Sequence, residues 1–228
     1  MLGLAQTPKE LLVAAASDLI VIQGPLSETW KSQSDLPLRF TFGASGLLAR
    51  QIASGAPYDV FLSADEARVK ELVDSGALVR ETVVHYAQGR LGLWGKGGRV
   101  GSLADLITPA ILHIAIANPT HAPYGAAARQ ALERAGLWAK LSGKIVYGET
   151  VRQAFEFAQS GNAEAAIVAW SLVSDRGGIL LPANLHSPIR QTGGVVKSSQ
   201  HADAARRFLL FLISSEGRRI LQAHGFTK

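Results

Sequence analysis

The chain contains no cysteine and a single methionine in 228 residues. The first absence excludes disulfides, thiolate nucleophiles and cysteine-ligated metals, and it leaves the redox compartment open. Long apolar runs are also missing. None approaches the roughly 20 residues of a membrane-spanning helix, so any membrane contact is expected to run through a partner. The opening Met1-Leu2-Gly3-Leu4-Ala5-Gln6 has neither the basic start nor the apolar stretch of a secretory leader, as expected where a leader has been removed.

Concentrated charge is scarce as well. Lysine and arginine number 23 against 18 aspartates and glutamates, a formal +5 that mildly favours anionic ligands. The adjacent basic pairs Arg206-Arg207 and Arg218-Arg219 are not interleaved with aromatics as a single-strand nucleic-acid groove would be, and no nucleic-acid partner is expected. The histidines His85, His113, His121, His186, His201 and His224 are dispersed without i,i+4 pairing, so no directly bound metal is expected. His121, in a turn described below, is a candidate pH sensor set against a solvated loop histidine.

What the chain does have is 47% hydrophobic residues, enough to bury a substantial core in one domain or two modest lobes. Short β-branched apolar runs alternate with helical patterns, which predicts an α/β fold with parallel sheets covered by helices. Strands are expected at residues 11–16, 38–42, 59–62, 91–94, 114–117, 144–147 and 166–169. Helices are expected at 19–32, 46–54, 203–214 and 216–224, with another capped by Ser63, Glu66 in its capping-box position, and ending near Gly76. Extended segments near 83–88 and 188–194 are expected to join a discontinuous first lobe, residues 1–86 with 195–228, to a second lobe, residues 87–194. Two hinged lobes would place a ligand between them, at the carboxyl ends of parallel strands.

Four segments share one plan, an apolar strand, a short turn of small or polar residues, then a helix. They are Ala14-Ala15-Ala16-Ser17, Phe42-Gly43-Ala44-Ser45-Gly46, Asn118-Pro119-Thr120-His121-Ala122-Pro123-Tyr124-Gly125 and Gly148-Glu149-Thr150-Val151. Each aims the free N–H groups and positive dipole end of a helix at the strand terminus, an anion site that requires no lysine or arginine. The competing structural reading makes Ser17 and Ser45 simple helix caps, worth about 1 kcal/mol each, and Tyr124 a packed ring.

These turns resemble those of the periplasmic molybdate-binding proteins, over nearly the whole chain. The resemblance is carried by Ala14-Ala15-Ala16-Ser17, by Ala44-Ser45-Gly46-Leu47-Leu48-Ala49-Arg50-Gln51-Ile52 and by Gly55-Ala56-Pro57-Tyr58-Asp59-Val60-Phe61-Leu62-Ser63-Ala64-Asp65. It continues through Asn118-Pro119, Ala122-Pro123-Tyr124-Gly125, Glu149-Thr150-Val151-Arg152 and the closing Gly225-Phe226. The resemblance implies a two-lobed periplasmic-binding-protein-like fold of type II and an extracytoplasmic monomer without cofactor. It implies molybdate or tungstate as ligand and the permease and ATPase of an ABC importer as partners.

It also implies that Ser17, Ser45 and Val151 contact the oxyanion through hydroxyls and main-chain amides. Some members place a small residue at position 124 and a tyrosine after the strand ending near Ala169. This chain has Tyr124 and no tyrosine in Ile167-Val168-Ala169-Trp170, so the Tyr124 hydroxyl is expected to replace the missing donor. The Asp18 carboxylate is expected to face away from the ligand, with its backbone N–H donating.

Two other classes compete. A serine hydrolase would use Ser45 as nucleophile, but Gly43-Ala44-Ser45-Gly46-Leu47 lacks the G-x-S-x-G spacing and no histidine has a recognisable catalytic setting, so no catalysis is expected. A binding protein or sensor domain for another oxyanion or a small carboxylate would share the two-lobed plan.

Overall fold

The computed structural model describes residues 10–228; the opening hexapeptide lies outside the described residues. Ten strands follow in chain order: β1 (Leu11–Ala16), β2 (Leu38–Gly43), β3 (Val60–Ser63), β4 (Val84–Gly89), β5 (Leu91–Gly95), β6 (Ile114–Ala117), β7 (Ile145–Gly148), β8 (Ala165–Ala169), β9 (Ile179–Leu180) and β10 (Ile189–Val195). They form two five-stranded sheets among the described residues, ordered β2-β1-β3-β10-β4 and β7-β6-β8-β5-β9. Each sheet is the centre of one lobe of a two-lobed α/β fold.

Within the first sheet β1 runs parallel to β2 and β3, and β10 is antiparallel to both β3 and β4. The second sheet repeats the scheme, with β6 parallel to β7 and β8 and with β5 antiparallel to β8. Central parallel strands are covered on both faces and therefore read as unbroken apolar runs. Thus all four residues of β6, and all five of β8, are buried. The edge strand β2 instead alternates, with Arg39 and Thr41 outward.

The helices are α1 (Gln23–Lys31), α2 (Ser45–Ala53), α3 (Glu66–Asp74), α4 (Pro123–Arg134), α5 (Trp138–Leu141), α6 (Val151–Ser160), α7 (Trp170–Val173), α8 (Ala202–Ile213) and α9 (Ser215–Ala223). One core face of the first lobe packs Trp30 of α1 edge-on against Phe208 of α8, ring centroids 5.4 Å apart. The apolar core of the second lobe does not stop at its boundary. It takes in Ala16, Ala44 and Ala64 from the first lobe, so the two bodies are packed together in a closed form.

Three local expectations are corrected. The segment expected to be one helix from 19 to 32 begins as a 3-10 helix, Ser17–Ile22, before α1 takes over. The β-branched run Ile20-Val21-Ile22 is a poor α-helix start, and the tighter winding turns Ile20 and Val21 onto the core of the second lobe. The cap of α3 is Asp65, whose carboxylate accepts from Ala67 N–H, and not Ser63. Ser63 closes β3, where its hydroxyl accepts from Asp65 N–H at 3.0 Å and donates to Asp65 O at 2.9 Å. The extended segment 188–194 is mostly a true strand, β10, paired on both sides.

Candidate functional site

The parallel strands of both sheets point their carboxyl ends at the space between the lobes. Ala16 leads into Ser17, Gly43 into Ala44-Ser45, and Ser63 into Ala64; from the other side, β6 leads through Asn118 to α4, and β7 through Thr150 to α6. These ends surround one cavity lined by Ser17, Asp18, Ser45, Tyr124 and Val151, with alanines and Gly43 as its walls. Its volume is about 10 Å³. That is about the room of one water-sized group and far under the roughly 300–1,000 Å³ of sites for drug-sized molecules, so in this closed form the space admits nothing larger than a small ion.

Neither serine is used as a helix cap. The residue before α2 is Ala44 and the residue before the 3-10 helix is Ala16, and neither end has a side-chain cap. The buried Ser45 hydroxyl instead accepts from Ala64 N–H at 3.1 Å, and the Ser17 hydroxyl accepts from Arg152 N–H at 3.5 Å. A hydroxyl carries one hydrogen, and an oxygen already accepting from an amide keeps that hydrogen available to a third group. Thr150, next to the cavity, caps α6: its hydroxyl accepts from Gln153 N–H at 3.0 Å. Among the described residues the N–H groups of Ser45 and Val151, first residues of α2 and α6, have no protein acceptor.

The lobes are tied across this cavity by hydrogen bonds. Gly46 N–H donates to His121 O at 3.0 Å, and a β-carbon at position 46 would stand 3.0 Å from that oxygen, a tight contact that glycine relieves. The His121 ring Nε2 lies 3.2 Å from Glu149 Oε2, linking the turn before α4 to the turn before α6. Ser171 of α7 donates to the main-chain oxygen of Asp18 at 3.0 Å.

Behind the serines lies a polar cluster that is fully enclosed. Asp18 Oδ2 accepts from the Tyr124 hydroxyl at 3.0 Å and from Gln191 Nε2 at 2.6 Å. Gln191 Nε2 also contacts the Tyr124 oxygen at 3.2 Å, and its own Oε1 accepts from the Tyr86 hydroxyl at 3.0 Å. Gly89 closes the cluster, because a β-carbon there would collide with the Tyr124 hydroxyl. Asp18 Oδ1 is buried without a hydrogen-bond partner. Burial pushes the Asp18 carboxyl up to about 6, while the bonds from Tyr124 and Gln191 pull the other way. Burial, and then the Asp18 charge, hold both tyrosines well above the ordinary phenol range, so they remain neutral donors.

Residues 11–227 match the model of the bacterial extracellular solute-binding proteins. The chain belongs to that family. Within it, the chain is 34% identical to the molybdate-binding protein ModA of Rhodobacter capsulatus, over 99% of this chain and 91% of that one. It is 32% identical to ModA of Azotobacter vinelandii, over 99% of this chain and 93% of the relative. The solved periplasmic molybdate-binding protein of Azotobacter vinelandii superposes with a TM-score of 0.91 at 31% identity, covering 96% of this chain and 99% of that chain.

In this solute-binding fold the five residues singled out from sequence converge on one cavity, with two differences in detail. The single hydrogen of Tyr124 is directed at Asp18, not into the open space. The Asp18 carboxyl, expected to face away from the ligand, is enclosed in the cluster behind the serines, satisfied on one oxygen only. Sequence reasoning missed Gln191, Tyr86, Ser171 and Gly89. For Gln191 no sequence signal stood out, because β10 also carries Arg190 and Thr192; its complete burial in the fold is what marks it.

Proposed function

We propose that this chain captures molybdate or tungstate as a tetrahedral dianion outside the cytoplasm and delivers it to the permease and ATPase of an ABC importer. One observation carries the reading. A small cavity lies between the lobes, and the serine hydroxyls at its wall accept from main-chain N–H groups and so keep their hydrogens for a third group. The ligand would accept from Ser17 and Ser45 hydroxyls and from main-chain N–H groups at the starts of α2 and α6, Val151 among them. The lobes divide along β4 and β10, the two strands next to the crossings between sheets, and these serve as the hinge.

Neutral donors suffice energetically. Hydrogen bonds to an ionised acceptor contribute about 1.5–3 kcal/mol each. Some five to seven of them exceed the roughly 8–12 kcal/mol of micromolar to nanomolar binding, leaving a margin for desolvation and closure. Donors held for long metal–oxygen bonds cannot all reach a smaller sulfate, which gives selection by size.

Thermal unfolding with a panel of oxyanions tests the proposal, since a ligand bound only by the folded state raises the midpoint. Molybdate and tungstate are expected to raise it and sulfate to leave it unchanged. A midpoint indifferent to every tetrahedral oxyanion would remove the assignment.

A further inference from the structure

One carboxylate stands at a cavity proposed to take a doubly negative ion. Asp18 lines that cavity, is fully buried, and uses only Oδ2, which accepts from Tyr124 and Gln191. Oδ1 has no partner. An ionised Asp18 and a dianion would be like charges in a site closed off from water, where repulsion is strong.

Among the described residues the neighbours of the carboxylate offer no compensating cation. From α4 comes the Tyr124 hydroxyl, from β4 Tyr86, from β10 the neutral Gln191, and from α7 the neutral Ser171. From α6 comes Val151, while the guanidinium of Arg152 is taken by Glu156 at 2.7 Å. At the rim His121 is paired with Glu149.

Resting on the oxyanion reading above, we infer that the site takes up one proton together with each dianion, and that Asp18 carries it on Oδ1. The proton comes from solvent and remains on the carboxyl, so the complex gains one positive and two negative charges. Both bonds already made to Oδ2 survive, and the orphaned oxygen becomes an O–H donor. Burial already holds this carboxyl near 6 before any anion enters, and a neighbouring dianion raises it further. Asp18 is thereby a specificity-determining residue: it favours ions that arrive without a proton of their own.

Titration calorimetry with molybdate on the full chain, in two buffers of different ionisation enthalpy, reads the proton directly. At about pH 7 the expected uptake is about 0.9 proton per ion, with affinity falling up to about tenfold per pH unit above that. Asp18→Asn is expected to bind with no uptake and with a flat pH profile, which also controls for protonation of the ligand. Zero uptake in the unmodified chain overturns the inference even if the variant does not fold. So does an equal slope in Asp18→Asn, or hydrogen phosphate displacing molybdate, which would mean that the carboxylate accepts a proton from its ligand. Failure of molybdate to bind at all is a different result and removes the ligand reading itself.

Discussion

The two lobes are built on one plan and furnish it differently. In each sheet a central strand is flanked by two parallel neighbours and an antiparallel strand follows, giving β2-β1-β3-β10 in one lobe and β7-β6-β8-β5 in the other. Both therefore bring strand ends and helix starts to the same crevice. From the first lobe come side chains, the hydroxyls of Ser17 and Ser45 and the carboxyl of Asp18. From the second come the main chain at Val151 and one phenol. Topology fixes where donors converge, and the residues at the turns decide whether a donor can be removed by changing a side chain.

The sharpest contrast is charge, because the buried carboxyl belongs to the first lobe alone. Asp18 has its folded-state pKa raised from 3.8 to about 6, so between those values the folded form holds more protons than the unfolded one. Stability is then lost as pH rises through that window, by roughly 3 kcal/mol in the unliganded protein. Asp105 and Glu164, held low by main-chain N–H groups, contribute the opposite slope. The quantity to read is thus the difference between the unmodified chain and Asp18→Asn in urea unfolding across about pH 4 to pH 7. A difference that does not change with pH would mean that the carboxyl is solvated.

Next in size is the loss of a hydroxyl. If Ser45 donates to the ligand as proposed, Ser45→Ala deletes that bond and leaves Ala64 N–H without its acceptor, an expected cost of about 1.5–3 kcal/mol, or roughly tenfold to a hundredfold in molybdate affinity. Calorimetry that found the affinity unchanged would return Ser45 to a packing role.

The strands and turns were legible because their signals are local. Residues 11–16 and 114–117 are short apolar runs with small-residue turns behind them, and both fold as strands with those bounds. The same pattern singles out Ser17 and Ser45, whereas Val151 enters through the family resemblance. The Asp18 cluster was not legible, because it joins residues 18, 86, 124 and 191, which no periodicity connects. Like-charge reasoning about Asp18 sends the side chain away from an anion. The fold instead keeps it beside the cavity and supplies two donors, a solution visible only once β10 is known to be a strand that places Gln191 there.

Tyr124→Phe probes the phenol that the second lobe contributes. The phenol donates to Asp18 and not into the cavity, so its removal costs one net hydrogen bond, about 0.5–1.5 kcal/mol of folding stability. Since that bond favours the ionised carboxylate, its loss also raises the Asp18 pKa further. The midpoint of the pH window in the urea series should then move upward; an unmoved midpoint would mean that Tyr124 does not sense the carboxyl.

The smallest effect on binding is expected for Val151→Ala, which separates the side chain from the main-chain donor. Val151→Ala keeps the N–H that begins α6 and removes only buried methyl groups, so molybdate affinity should change by no more than about twofold while stability falls by about 1 kcal/mol. Val151→Pro is the matched contrast. Proline is tolerated at the first position of a helix, and Thr150 before it is already extended, so the substitution deletes the N–H while leaving the helix able to form. If a main-chain donor is what the second lobe provides, proline should weaken binding as much as Ser45→Ala does and alanine hardly at all. Equal affinities for the two variants would show that the ligand does not touch this amide, and the contrast between a side-chain lobe and a main-chain lobe would fail at its simplest point.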